Sequence, residues 1–211
     1  QTSDVINLKN NLDIYISEIA PTLDSFPHMS NAKYRLYADV CLDYLRRFCH
    51  FEQKYSENNS IDILHLEEEF SAEIVYNNVN IKLLGKIDRI DRVNNIYRVI
   101  DYKTGKVEDK NLKISINESI ISAKYDKAIQ LLIYAYMVFN KYPEYNNLTC
   151  GIYAIRQQFD MFKCIKVDED VIINRKHLPA IENVIKLIIN EMFATDVIKH
   201  NEKANYCVLC K

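Results

Sequence analysis

The sequence predicts a mixed α/β domain in which helices flank a central, mostly antiparallel or mixed β-sheet. Three observations predict it. Apolar residues recur at helical spacing near both ends of the chain and again in its middle. Apolar and polar residues alternate through three consecutive segments after residue 60. Short polar turns separate those segments. With 211 residues, 48% of them apolar, the chain is long enough for one domain with a real core and short for two.

Taken in order, Asp4 is placed to cap a first helix over residues 4–20, which Pro21 ends. Ser30 or Asn31 caps a second, reaching about residue 55, with Tyr34, Tyr37, Val40, Cys41, Tyr44, Leu45 and Phe48 on one stripe. Alternation then predicts strands over 63–76, 80–93 and 96–103. Residues 104–121 are polar and charged, with no clear period. Residues 124–140 read as a strongly apolar helix stopped near Pro143. Two more strands follow over 148–156 and 161–167, then a helix over 179–193 and a tail carrying Cys207 and Cys210. We expect a single domain over 1–211, with a helical N-terminal part (1–60), a core (61–170) and a C-terminal helix and Cys tail (171–211).

Composition excludes several classes. Three Gly and four Pro are too few for collagen-like, linker-rich or low-complexity chains. No apolar run approaches the roughly 18 residues that span a bilayer, so no membrane role is expected. A net charge of −2 gives no global basic field. Six Cys without paired spacings argue against a secreted disulfide scaffold; Cys41, Cys49, Cys150 and Cys164, in apolar surroundings, read as reduced core residues. The expected compartment is the cytoplasm. The chain starts at Gln1 and stops one residue after Cys210, so we expect an excerpt of a longer protein.

One hairpin carries the chemistry. Asn94-Asn95 tolerates positive φ at both positions and is a good two-residue turn. With Val93 facing Ile96, the register sets Asp88 directly opposite Asp101. Cβ atoms of such a pair lie about 4.5–5.5 Å apart, where two carboxylates repel. A divalent cation removes the objection, because hard oxygen ligands suit Mg²⁺ or Mn²⁺. Lys103, two residues after Asp101, falls on the same face. Two acids and a Lys around a metal suit activation of a water and stabilisation of a pentavalent phosphorus. The competing reading is a surface ion-pair ladder of Asp88, Asp91 and Arg92.

Three blocks carry a resemblance: Gly85-Lys86-Ile87-Asp88-Arg89-Ile90-Asp91, then Val99-Ile100-Asp101-Tyr102-Lys103-Thr104-Gly105, then Gln130-Leu131-Leu132-Ile133-Tyr134-Ala135. In order and spacing they resemble the RecB/AddB-type nucleases of the PD-(D/E)xK superfamily, over about residues 66–136. The resemblance implies a restriction-endonuclease-like fold with metal on Asp88 and Asp101, and the backbone carbonyl of Tyr102 as a further ligand. It implies that Lys103 orients the attacking water, and that Gln130 and Tyr134 position the DNA strand. Independently, those two lie four apart on one face of an otherwise apolar helix, and a polar stripe there needs partners; an internal hydrogen-bond network is the alternative. Glu67, three residues before Phe70, matches an accessory acid of the family, although His65, Glu67 and Glu69 share a strand face and an exposed acidic face is equally consistent.

Two departures stand out. The family usually carries a His near the start of the domain in a Gly-Thr-x-x-His context, which is missing here; His28 and His50 are the N-terminal candidates, each better read as a surface or structural His. Related nucleases hold a [4Fe–4S] cluster with one early and three late Cys. Cys207 and Cys210 match the C-x-x-C opening of the late group, with Cys41 or Cys49 as the early candidate. We expect no intact cluster in this chain, only in a longer parent, and zinc is the other metal that C-x-x-C suits.

These readings converge on a Mg²⁺-dependent exodeoxyribonuclease acting on DNA in recombination and repair, beside a helicase domain or partner subunit. Lys106, Lys110, Lys113, Lys124 and Lys127 form the best local basic lip for phosphate. The alternatives are an inactive DNA-binding or scaffold domain of the same fold, and a stand-alone CRISPR-associated Fe–S exonuclease.

Overall fold

A long helix, α1 (Ala32–Asn58), precedes the strands β1 (Ile61–Tyr76), β2 (Val79–Val93) and β3 (Ile96–Lys103). Then come β4 (Lys113–Ile114), helix α2 (Asp126–Lys141), β5 (Asn147–Ala154), β6 (Phe162–Cys164), β7 (Lys166–Val167), β8 (Ile172–Asn174) and helix α3 (Leu178–Ala194). This computed structural model describes residues 32–194 together with Asn7, Asn10, Asn11, Ile14 and Tyr15. Cys207, Cys210 and His28 lie outside the described residues, as does most of the first expected helix.

The main sheet has six strands in the order β1-β2-β3-β5-β6, with β8 also paired to β5. β1, β2 and β3 form an antiparallel meander, whereas β5 runs parallel to β3 after the α2 crossover. The sheet is therefore mixed, flanked by helices as expected. The two-residue turn is present: Asn94 and Asn95 have φ of 48° and 69°, and Val93 pairs with Ile96. Asn94 also ties the turn to the end of α1, since its Oδ1 accepts from the Ser60 N–H.

Period-2 reading merged or missed the short strands. Residues 161–167 divide between β6, on the main sheet, and β7, which pairs with β4 in a two-stranded parallel sheet. β8 falls in the segment read as C-terminal helix and tail. Strands of two or three residues carry too little alternation to be recognised.

Beneath α2 lies the larger core, where Phe70, Ile87, Ile90, Val99 and Ile152 meet Leu131, Ala135 and Phe139. Tyr136 and Met137 are also buried, so the apolar character of α2 reflects packing on most of its circumference. Arg175 secures its end: Nη2 donates to the carbonyls of Phe139 and Tyr142, and Nε to that of Tyr145. A cation there complements the helix dipole.

On the other sheet face, α1 buries only part of the length over which its apolar stripe predicts burial. Among its described side chains Cys49, Glu52 and Ser56 are buried, while Val40, Cys41 and Leu45 are exposed. The reading of Cys41 as a core residue is thus corrected. Among the described side chains it is the C-terminal half of α1 that meets the sheet, through Phe48 and Phe51 against Tyr102 and Tyr153 and through a charge network.

That network overturns the surface-ladder reading of Asp91. The Asp91 carboxylate is fully buried and accepts from Arg89 Nε and from Arg98 Nε and Nη2, each at 2.7 Å. Arg89 Nη1 donates to Glu52 on α1 at 2.8 Å, and Tyr153 OH donates to the other Glu52 oxygen. Two guanidiniums and two carboxylates leave the group neutral, the condition under which charges survive burial. Burial opposes the charge on Arg89, but Glu52 and Asp91 raise its pKa above the usual guanidinium value. Arg92, by contrast, does pair at the surface, with Asp62 at 2.7 Å.

Candidate active site

The β2–β3 ladder runs from Val93–Ile96 to Arg89–Ile100 and stops one step before Asp88–Asp101. Continued, it would carry the Tyr102 N–H to the Ile87 carbonyl. Instead the Tyr102 N–H donates to Asp88 Oδ2 at 2.7 Å. β3 meanwhile stays paired with β5 through Lys103–Ala154. The strands part at the two acids, and the side chain of one bridges the gap.

The adjoining β1 is irregular at the same level. Its register slips between Ile63 and His65, and Glu67, which faces Asp88 in the continued register, adopts φ 51° and leaves the ladder. Ile87 and Ile90, three apart, consequently both enter the core under α2, while Arg89 between them faces Glu52. Strict alternation forbids that. It also corrects the expectation that His65, Glu67 and Glu69 share a face. His65 bonds Glu68 and the Tyr142 hydroxyl, and Glu68 accepts from Lys141 at 2.6 Å, which holds its carboxyl below the usual range. Glu67 instead pairs with Lys86 at 2.7 Å, both largely exposed. It stands one ion pair from Asp88, whose charge also reaches Lys86.

Asp101 is buried at the end of β3, with Lys103 Nζ 3.1 Å from Oδ1 and 2.9 Å from Oδ2. Only the Oδ1 contact has hydrogen-bond geometry, so Oδ2 is a buried carboxylate oxygen without a donor. Burial raises the Asp101 pKa; Lys103 opposes the rise, Asp88 adds to it, and Lys127 on the first turn of α2 lowers it again. The Tyr102 carbonyl shares the strand edge of its N–H, toward β2. Its ring lies on the opposite side, stacked on Tyr153 and edge-on to Phe48.

Helix α2 covers this end of the sheet with Lys127, Gln130 and Tyr134, which lie on one helical stripe. Gln130 Nε2 donates to Tyr134 OH at 2.8 Å. Gly85 makes room for them: a Cβ there would sit 3.1 Å from Tyr134 Cε1 and 3.2 Å from Met137 Sδ. Sequence reasoning identified Gly85 and Tyr134 separately; their contact follows only from the packing of α2 on β2.

The donor set suits a hard divalent cation. Asp101 Oδ2 lies 2.9 Å from the Lys103 ammonium yet accepts no hydrogen bond, which leaves it a lone pair for a cation, and Asp88 has one oxygen outside its bond to Tyr102. No group of three His, Cys, Asp or Glu able to hold a metal occurs among the described residues. Mg²⁺ needs none, because it typically takes one or two carboxylates and completes its shell with water and phosphate. His50 lies elsewhere, on the outer stripe of α1 with Arg47 and Lys54. The basic lip is partly neutralised: Lys106 and Lys110 both pair with Glu108, and Lys127 with Asp126. No helix among the described residues is long and apolar enough to cross a membrane.

No curated protein matches the chain. Among solved structures it is similar to the crystal structure of SSO0001, with 16% identity and a TM-score of 0.39 over 98% of this chain and 81% of that one. The PD-(D/E)XK nuclease superfamily matches residues 10–211. A match across nearly the whole chain decides the family: this protein belongs to the PD-(D/E)XK nuclease superfamily.

Proposed function

We propose that this chain is a Mg²⁺- or Mn²⁺-dependent deoxyribonuclease of RecB/AddB type, hydrolysing phosphodiester bonds as an exonuclease in DNA recombination and repair. One observation carries the reading. A buried oxygen of Asp101 that accepts no hydrogen bond lies 2.9 Å from the Lys103 ammonium, at the point where β2 and β3 part and Asp88 takes the Tyr102 N–H.

Asp88 and Asp101 hold the ion, with the Tyr102 carbonyl as a further oxygen. A divalent cation held there supplies charge neutralisation at the scissile phosphate and lowers the pKa of a coordinated water. Lys103 donates to Asp101 at rest. During reaction its ammonium orients the attacking water and offsets negative charge on phosphorus oxygens. Gln130 and Tyr134, already bonded to each other, present a fixed polar edge that aligns the strand. Glu67 serves as an accessory acid reached through Lys86. A helicase domain or partner subunit supplies further phosphate contacts.

The test is cleavage of labelled single-stranded and duplex DNA in Mg²⁺, with Asp101→Ala and Lys103→Ala beside the wild type. Each substitution is expected to lower the rate by about 10²-fold or more, the scale of losing one preorganised charge-stabilising group. Cleavage that persists in both variants, or wild-type protein that binds DNA without cutting it, sinks the assignment. The second outcome leaves a DNA-binding scaffold of the same fold.

A further inference from the structure

On the α1 side of the sheet a cleft of about 370 Å³ opens between that helix and the loop joining β5 to β6. Arg47, His50 and Lys54 line it at helical spacing, with Phe51 and Tyr55 beside them. Gln158 and Met161 close it from the loop, and no acid lines it. Asp43 outside the cleft takes Arg47 Nη2 at 2.8 Å, but Arg47 Nε is buried without a hydrogen-bond partner.

The loop presents a second feature. Phe159 is 81% exposed. Its neighbour Asp160, at φ 50°, turns toward Lys163 at 3.7 Å. The loop is closed by the Ala154 N–H to the Met161 carbonyl and the Gln157 N–H to the Ala154 carbonyl, both 2.8 Å, so the ring is held out by a fixed turn. That turn grows from the end of β5, beside the end of β3 that bears Lys103, since the Ile155 N–H donates to the Lys103 carbonyl at 3.0 Å. Phe159, four residues on, lies within about 14 Å of Ile155 even for extended chain.

We propose that this cleft and Phe159 form a binding site for a single DNA strand, distinct from the acidic pair, across the end of β3 and β5. Arg47, His50 and Lys54 face phosphates, and Phe159 stacks on a base. Cations alone suit any polyanion. The exposed Phe159 ring, next in the chain to Gln158 of the cleft wall, favours a single strand, whose unstacked bases offer π-faces that a duplex or an acidic peptide lacks. The choice of DNA rests on the nuclease reading; the site does not.

Binding of labelled oligodeoxythymidylate to the full chain in EDTA, followed by fluorescence anisotropy across a salt series, tests it. Phe159→Ala is expected to weaken binding about five- to hundredfold. The double variant Arg47→Gln, Lys54→Gln is expected to flatten the log K against log salt slope by about 1.4, from two lost phosphate contacts. Thermal melts matching the wild type confirm that both variants fold. Wild-type affinity in both variants overturns the proposal, as does absence of binding by the wild type or an equal Phe159→Ala loss with polyglutamate. The nuclease reading fails separately: a chain that binds through these residues but cuts no DNA in Mg²⁺ keeps this site and loses that reading. A chain that cuts DNA while both variants bind normally does the reverse.

Discussion

Asp88 reaches across the open end of the β2–β3 ladder and accepts the Tyr102 N–H at 2.7 Å, one residue past Asp101. The bond gives Asp88 a structural duty besides any metal it holds, and the two duties separate by substitution. Asp88→Asn keeps an acceptor for Tyr102 and loses the charge. Asp88→Ala leaves the N–H unpaired at a part-buried position, which costs about 1–3 kcal/mol. Urea denaturation should find Asp88→Asn near wild type and Asp88→Ala destabilised by that amount, while both lose metal-dependent cleavage.

Asp101 should trade stability for metal binding. Burial lifts its pKa above the ordinary 3.8, so the folded state holds the proton more tightly than the unfolded chain. Ionisation of Asp101 therefore costs stability, and its contribution falls as pH rises through the raised pKa. Asp101→Asn removes that cost. In EDTA at pH 7 its Tm should exceed the wild type's, with the gain fading as pH falls through the raised pKa and gone below about 3.8. Adding Mg²⁺ should raise the wild-type Tm and leave the variant unmoved.

The buried group around Asp91 predicts a large, purely structural loss. Asp91→Ala strands the buried Arg98 guanidinium, leaves Arg89 with Glu52 alone, and should cost about 3–5 kcal/mol in chemical denaturation. Asp62→Ala removes the partly exposed pair with Arg92 and should cost under about 1 kcal/mol. Similar values for the two would refute the buried network.

Gly85 and Gly151 should respond unequally to Ala. At Gly85 the new methyl meets side-chain atoms of Tyr134 and Met137 at 3.1–3.3 Å, and the Met thioether can give. The expected loss is about 1 kcal/mol, with reduced activity as Tyr134 shifts. At Gly151 the methyl meets Phe162 at 2.6 Å and the Lys163 backbone carbonyl at 2.9 Å. Backbone cannot yield without opening the β5–β6 pair, so the loss should reach about 3 kcal/mol, measured by thermal melts of both variants.

Local residue chemistry made much of the architecture legible. The Asn94-Asn95 turn, the alternation around it and the apolar α2 announced the meander, the register and the covering helix, because backbone preference and one-sided burial act over a few residues. Where α1 buries its surface was misread. Its apolar stripe suggested burial along the whole helix, but Cys41 and Leu45 are exposed, and the helix docks further on, through Phe48 and a salt-bridged Glu52.

The order of the nuclease blocks and the register from Val93–Ile96 to Arg89–Ile100 are written in short stretches of chain, where turn type alone sets which residues face. The end of the ladder at Asp88, the αL break at Glu67, the donor-free oxygen of Asp101 and the close approach of Tyr134 to Gly85 are properties of the packed molecule. Each arises because several elements compete for one volume and one set of hydrogen bonds, and no segment read alone carries the terms of that competition.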